Sequence, residues 1–368
     1  MPSVTHQRLV RGSAREVWAQ LHAWQDATSR PEPLVLETSG STGKPKRVVL
    51  SRDAMRASAA ATHDRLGGPG QWLLALPPSY VAGTQVLFRS LLAGTEPVLL
   101  DEHQDLTAAA GAMNGPRRYT SLVPTQLKSM LSSERSVAAL RTFDVILVGG
   151  AAVDLGLRDD AVRAGLRLVA TYGMSETCGG CVYDGLALDG VAVAISTEGR
   201  VRVSGPVLFD GYDGQAELTA QVLRDGWFLT ADLGRLDEDG LLHVLGRIDD
   251  VVISGGVNVP TAAVAARVRE HESICAAEVV GVVDPHWGQR VVAVVTSTGN
   301  VGVDEIRDFV SDRLPRAWAP RKLVVVDELP VLSNGKADRK ALEQAAALEF
   351  GGSRRGILRI STKEEEEG

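Results

Sequence analysis

Apolar triplets at Leu34–Leu36 and Val48–Leu50 flank a polar stretch, a pattern that predicts two neighbouring strands joined by a loop. Ahead of them Ala14–Trp24 has helical spacing, followed by a polar stretch closed by Pro31 and Pro33. Behind them Ser51 is placed to cap an alanine-rich helix running to Leu66, with Asp53 in its first turn and Gly67-Gly68-Pro69-Gly70 at its end. Short strands and helical segments then alternate through Trp72–Leu76, Gln85–Leu92, Pro97–Leu100, Leu106–Met113, Tyr119–Val123, Thr125–Leu131 and Val145–Val148. Pro124 suits a first helical residue. This rhythm predicts an α/β fold, with a mostly parallel sheet covered by helices on both faces.

From Val191 the rhythm changes. Val191–Ile195, Arg200–Val203 and Trp227–Leu229 predict the short strands of a small β subdomain. Residues 246–256, rich in charge and glycine, predict a linker. Beyond it Pro260–Glu270 and Asp304–Leu314 predict helices, and Ala277–Val283, Val291–Thr296 and Lys322–Val326 predict strands, a compact α+β unit. The expected parts are therefore a large N-terminal domain over 1–246, a small C-terminal domain over 247–350 and a tail over 351–368. The tail ends in the acidic run Glu364–Glu367 and is expected to be disordered.

Composition narrows the function classes. A chain of 368 residues with 44% hydrophobic content can bury more than one core. A net charge of -7 gives no electrostatic reason for nucleic-acid binding. No apolar run has the length of a membrane span, and residues 1–30 lack the apolar segment of a signal peptide. Cys178, Cys181 and Cys275 cannot form a disulfide framework, so a cytoplasmic setting is expected. Cys178-Gly179-Gly180-Cys181 lacks the second ligand pair a zinc site needs and is read as a glycine-rich loop.

The polar stretch between the first two strands carries the chemistry. Thr38, Ser39, Ser41 and Thr42 offer hydroxyls, Gly40 and Gly43 free backbone N–H groups, and Lys44 and Lys46 positive charge, a set suited to a polyphosphate. It is not a Walker A loop, because only Ser41 and Thr42 separate Gly40 from Gly43 and a strand follows. A plain polar hairpin loop would have a similar composition. The literal string TSGSTGKPK, however, resembles the phosphate-binding signature of the adenylate-forming superfamily of acyl-CoA synthetases, peptide-synthetase adenylation domains and luciferases.

Further strings fall in the order that resemblance requires. Thr171-Tyr172-Gly173-Met174-Ser175-Glu176 follows a strand expected at Leu166–Ala170 and is similar to the superfamily's Y-G-x-T/S-E motif, which implies Tyr172 and Gly173 beside adenine, Ser175 at phosphate and Glu176 on Mg2+. Gly226–Gly234 resembles the G-W-x-x-T-G-D motif, with Ala231 in place of a glycine, and implies that Asp232 accepts the ribose hydroxyls. Gly246-Arg247-Ile248-Asp249-Asp250 resembles the hinge motif, implying Arg247 as a nucleotide contact and Asp249 as pivot. Ser254, Gly255 and Gly256 then lie on the implied coenzyme A path. Leu332–Lys336 resembles the C-terminal loop whose lysine, here Lys336, completes the adenylation site.

Leu76–Gly83 is similar to the acyl-pocket segment L-P-x-x-H-x-x-G, with Tyr80 where histidine is usual, so that Tyr80, Val81 and Gly83 are implied pocket residues. A tyrosine simply packed in the core is the alternative there. The segment Tyr119–Leu131 and the string Val148-Gly149-Gly150-Ala151-Ala152-Val153 most resemble o-succinylbenzoate–CoA ligases of menaquinone synthesis. That implies Gly149 and Gly150 at the nucleotide and Ser121, Thr125 and Gln126 in the acyl pocket. Arg89 or Lys128 could pair with the substrate's unreacted carboxylate, although both are expected at the surface.

The resemblance implies a fold with a small mobile C-terminal domain, ATP and Mg2+ as cofactors, coenzyme A as co-substrate and a small carboxylic acid as partner. The segment before the phosphate loop is shorter than the superfamily's, so part of its N-terminal subdomain is expected to be missing. The expected reaction forms an acyl-adenylate and then a thioester. A ligase for another acid, a carrier-loading adenylation domain and a non-catalytic nucleotide-binding relative stay open, and a homodimer is compatible with the resemblance.

Overall fold

The structure is a computed structural model that describes residues 8–28, 31–38, 46–330, 337–348 and 359–360. The chain divides into two compact units. One comprises Met1–Ser196, Val201–Thr230 and Leu236–His243; the other comprises Thr197–Arg200, Ala231–Arg235 and Val244–Gly368.

The larger unit is built on a seven-stranded sheet, ordered Leu186–Ala187, Gly179–Tyr183, Leu168–Met174, Val145–Val148, Arg118–Leu122, Gln71–Leu74, Val98–Leu99. The last five are parallel, and the first two are antiparallel additions at one edge. Val145-Ile146-Leu147-Val148 shows why such strands read as unbroken apolar runs. Val145 and Leu147 face one core with Trp24, Met55 and Phe88, while Ile146 and Val148 face the other with Leu127, Leu140 and Leu157. Helices Ala14–Gln25, Arg52–Leu66 and Val81–Leu92 supply the first core; Leu106–Ala112, Pro124–Leu131, Glu134–Leu140 and Leu155–Arg163 supply the second. The predicted α/β architecture is present.

Beside it Leu34–Thr38 and Lys46–Leu50 form the expected antiparallel pair, with Thr38 opposite Lys46, in a four-stranded sheet completed by Arg8–Leu9 and Gly211–Tyr212. Ser51 caps the next helix by accepting from the Ala54 N–H at 3.2 Å, and Gly67 closes it in the left-handed region at φ 86°.

The smaller unit is α+β. Its sheet contains Val251–Ser254, Val257–Pro260, Ile274–Asp284, Gly288–Ser297, Lys322–Val326 and Arg359–Ile360. Helices Thr261–Arg269 and Val303–Ser311 pack on one face and Arg339–Leu348 on the other. Inside the stretch read as a disordered tail, Arg359 and Ile360 pair with Val325 and Val326; its other residues lie outside those described.

Three local readings change. The strand expected at Leu166–Ala170 is Leu168–Met174, because antiparallel pairing of Tyr172 with Val182 and Met174 with Gly179 extends it. Trp227–Leu229 is the start of a ten-residue strand, Trp227–Leu236. The linker expected over 246–256 is instead a strand end, a single 3-10 turn at Ile248–Asp250 and a hairpin. That hairpin turns through Gly255 and Gly256, at φ 59° and 77°, the left-handed pair a two-residue hairpin loop requires.

Candidate active site

In open α/β sheets ligands bind beyond the carboxyl ends of the parallel strands. At that edge the larger unit gathers four sets of candidate residues. Leu76–Gly83 follows the strand ending at Leu74, and Val123–Gln126 follows Leu122. Gly149-Gly150 follows Val148, and Tyr172–Glu176 lies at the end of Leu168–Met174. The Gly149 N–H donates to the Leu122 carbonyl at 3.2 Å, continuing the ladder one residue past the strand.

Tyr172 and Gly173 sit on the strand itself; Ser175 and Glu176 form a short 3-10 turn. Gly173 is glycine for a steric reason: a Cβ there would lie 2.1 Å from the Gly179 carbonyl oxygen. Thr177, fully buried, fastens the turn. Its hydroxyl accepts from the Met174 N–H at 2.9 Å and donates to the Gly179 carbonyl at 2.7 Å. Glu176 is thereby aimed without relying on its own packing, and its Oε1 accepts from the Tyr212 hydroxyl at 2.8 Å. Tyr212 was not singled out from the sequence, since nothing in its spacing from Glu176 connects the two.

At the paired strands, Thr38 donates its hydroxyl to the Lys46 carbonyl at 3.4 Å, and the Lys46 ammonium stands 5.2 Å above the Tyr212 ring centre. Ser39, Gly40, Ser41, Thr42 and Gly43 of the cradle lie outside the described residues.

The acyl-pocket candidates take varied places. Tyr80 is 52% exposed at the start of the Val81–Leu92 helix, so it is not a core-packed tyrosine. Ser121 is buried between Leu74 and Leu147. Thr125 is exposed in the first turn of its helix. Gln126 has both ends of its amide committed to backbone, Oε1 accepting from the Val123 N–H at 3.0 Å and Nε2 donating to the Ala75 carbonyl at 2.8 Å. Lys128 is exposed, as expected.

Arg89 overturns its expectation of a surface position, being only 3% exposed. Its guanidinium lies 5.2 Å from the Trp72 ring centre, and Nη2 donates to the Tyr183 hydroxyl at 3.5 Å. Nε has no partner, and no carboxylate among the described residues pairs with it. Burial draws its pKa down, partly opposed by Tyr183. Val81, Gln85 and Arg89 recur at four-residue spacing, so they share one helix face that begins at the acyl-pocket segment. On that face Gln85 donates to the Cys178 carbonyl at 2.8 Å, while its Oε1 is unpartnered.

The cysteine pair shows no sign of reactivity. Cys178 and Cys181 are both buried, and desolvation raises both thiols, Cys181 to about 12. The run read as a loop is a left-handed turn at Cys178 and the strand Gly179–Tyr183. Among the described residues no group of three or more His, Cys, Asp and Glu could hold a metal alone.

In the smaller unit, Asp232 is 8% exposed on its long strand and pairs with Arg247 at 3.4 Å, while Arg247 reaches Asp249 at 3.6 Å. Ser254 is buried, and Gly255 and Gly256 form the hairpin turn. Lys336 lies outside the described residues, but the described chain on either side of it is held together. There the Asp338 N–H donates to the Pro330 carbonyl at 2.9 Å, and Asp338 caps the next helix through the Ala341 N–H at 3.2 Å. Arg339, at the start of that helix, pairs with Asp250 beside the expected pivot.

Comparison with known proteins bears on both units. Residues 34–212 match the AMP-binding enzyme family, and residues 263–336 match the AMP-binding enzyme C-terminal domain. A probable 2-succinylbenzoate–CoA ligase of Mycobacterium tuberculosis (strain H37Rv) is 42% identical over 319 residues, covering 84% of this chain and 83% of that one. The o-succinylbenzoate CoA synthetase of Bacillus subtilis, solved with its acyl-adenylate intermediate, aligns at a TM-score of 0.69 and 28% identity, over 88% of this chain and 70% of that chain. The same enzyme solved with ATP and magnesium ion aligns at 0.68 and 28% identity, over 84% of this chain and 69% of that chain.

Proposed function

The chain belongs to the AMP-binding enzyme family, and from that premise we propose that it converts 2-succinylbenzoate, ATP and coenzyme A into 2-succinylbenzoyl-CoA, AMP and pyrophosphate. The substrate carboxylate attacks the α-phosphorus and pyrophosphate leaves. The coenzyme A thiol then attacks the acyl carbonyl, loses its proton and expels AMP. The intermediate adenylate is needed because oxide is a poor leaving group and AMP a better one.

Each residue has a role in this scheme. Tyr172 lies against adenine, the Thr38–Lys46 cradle holds the phosphates, and Asp232 with Arg247 takes the ribose. Glu176 suits Mg2+: one oxygen is held by Tyr212 and the other takes no hydrogen bond among the described residues, matching an ion that takes one or two protein carboxylates beside phosphate oxygens. Bound there, the ion supplies positive charge against the phosphoryl oxygens as they gain charge. Lys336 bridges the attacking carboxylate and the α-phosphate, then withdraws as the smaller domain turns about Asp249. Ser254, Gly255 and Gly256 then line the path of the thiol.

The observation that carries the substrate assignment is the buried Arg89 guanidinium, which meets no carboxylate among the described residues. A lone cation in an apolar interior costs several kcal/mol, roughly, unless an anion meets it. Arg89 lies about two turns along the Val81–Leu92 helix from the acyl-pocket segment, on the face that Val81 and Gln85 share, and 2-succinylbenzoate retains one carboxylate after the other is adenylated. Exposed Lys128 has no comparable need. Measuring acid-dependent ATP–pyrophosphate exchange over a panel of carboxylic acids, then the mass of any coenzyme A thioester, tests the reading. Exchange with 2-succinylbenzoate and transfer to free coenzyme A are expected; exchange only with monocarboxylates would defeat it.

A further inference from the structure

Tyr212 lies on the two-residue strand Gly211–Tyr212, paired antiparallel to the strand that leaves the phosphate loop, with Tyr212 opposite Val48. The same short segment reaches the turn that carries Glu176, because the Phe209 N–H donates to the Glu176 carbonyl at 3.0 Å. One residue on, the Asp210 N–H donates to the Val49 carbonyl at 2.9 Å. The segment therefore bridges the phosphate-loop strand and the Glu176 turn through backbone alone, and Tyr212 repeats the bridge with its side chain. Its hydroxyl donates to Glu176 Oε1 at 2.8 Å, and its ring lies beneath the Lys46 ammonium at 5.2 Å. The ring is fixed by Phe209, 5.0 Å away and edge-on, which in turn meets Phe228 at 5.2 Å. Its backbone N–H is held by the Thr219 hydroxyl at 2.9 Å.

We propose that Tyr212 is a positioning residue that mounts the Glu176 carboxylate and the Lys46 ammonium on one aromatic side chain, so that the divalent cation and the phosphates it accompanies are received in a fixed relation. This rests on the reading of Glu176 as the carboxylate that meets Mg2+. The hydroxyl occupies one carboxylate oxygen and leaves the other without a hydrogen bond among the described residues, the way a partner behind a ligating carboxylate fixes its orientation. The ring offers its negative face to Lys46 and limits where the ammonium swings.

Tyr212→Phe removes the hydroxyl and keeps the ring and its packing. Titration of Mn2+ followed by its electron spin resonance, with the non-reacting analogue α,β-methylene-ATP present, is expected to show affinity about ten-fold weaker than in the parent protein. That is the low end of such effects, because Glu176 is only half-buried and water can replace the lost donor. The Mg2+ needed for half-maximal ATP–pyrophosphate exchange rises in parallel, while KM for the acid stays put. In the Glu176→Gln background the Tyr212→Phe change should add nothing, since the two act through one contact. Tyr212→Leu, which also removes the ring beneath Lys46, weakens analogue binding even without metal, whereas Tyr212→Phe does not. Unchanged Mn2+ affinity in Tyr212→Phe, or the same loss in the Glu176→Gln background, overturns the proposal. Absence of acid-dependent exchange in the unaltered protein would instead overturn the ligase reading, so the two failures are distinguishable.

Discussion

Replacing Arg89 with methionine should move stability and activity in opposite directions. Methionine keeps an unbranched stem of similar volume. The folded protein loses the stacking on Trp72 at 5.2 Å, worth about 0.5–2 kcal/mol, and a hydrogen bond to Tyr183 at 3.5 Å, the outer limit of a real one. It also sheds a buried cation that no carboxylate among the described residues compensates, whose effective penalty is several kcal/mol, roughly, even after relaxation. The penalty exceeds the two losses, so the ligand-free variant should gain about 1–3 kcal/mol, read as a higher urea midpoint at unchanged slope. Substrate binding carries the other sign. Removing one partner of a buried charge pair costs about 2–5 kcal/mol, so kcat/KM for 2-succinylbenzoate should fall by roughly 30-fold to several thousand-fold. A monocarboxylate analogue that lacks the second carboxylate should lose little, and the variant should barely distinguish the two acids. Steady-state thioester formation with both acids, alongside urea unfolding, measures each sign. A variant that is less stable yet keeps its preference for the diacid would refute the reasoning, because Arg89 would then be a packing residue.

The remaining expectations concern other parts of the site. Lys336→Ala should lower adenylate formation by roughly 10²–10³-fold while thioester formation from pre-made adenylate survives, and equal loss of both half-reactions would contradict the alternation about Asp249. A thiol reagent should modify Cys275 alone in the native protein and all three cysteines after denaturation, since Cys178 and Cys181 are buried with raised thiol pKa values. His63 is held from its ordinary 6.5 down to about 4 by burial and then by Arg89, with Asp64 pulling weakly the other way. The unfolded chain therefore binds the extra proton first. Stability should be fully present above pH 6.5 and decline as pH falls toward about 4, with a shallower slope in Arg89→Met, as melting curves across that window would show. Gly173→Ala should destabilise the larger unit by about 1–3 kcal/mol or more, because its Cβ meets the Gly179 carbonyl at 2.1 Å, and calorimetry would register the loss.

What the sequence reveals of this protein follows from the range of the physics involved. Val145–Val148 and the Leu34–Leu50 pair announce themselves because burial on two faces, or on one, writes an apolar pattern into neighbouring residues. The hairpin through Gly255-Gly256 hides among charges, as its strands are four residues each and one exposes Ile253. Likewise, the end of Leu168–Met174 is set by a partner strand that begins five residues beyond it, at Gly179, not by its own composition. Motif strings single out Glu176, Asp232 and Arg247 as candidates, yet some of the groups that hold such side chains are remote in sequence. Tyr212 lies 36 residues from the carboxylate it holds, and Arg89 sits 94 residues from Tyr183. Arg89 also shows why charge alone misleads. A lone arginine in an apolar helix reads as a surface residue on average, because most cations escape the desolvation that burial imposes. Finding one enclosed with no carboxylate among the described residues inverts the inference: under the proposed function a ligand supplies the missing charge, and a place where local rules are broken is a place to test for the substrate.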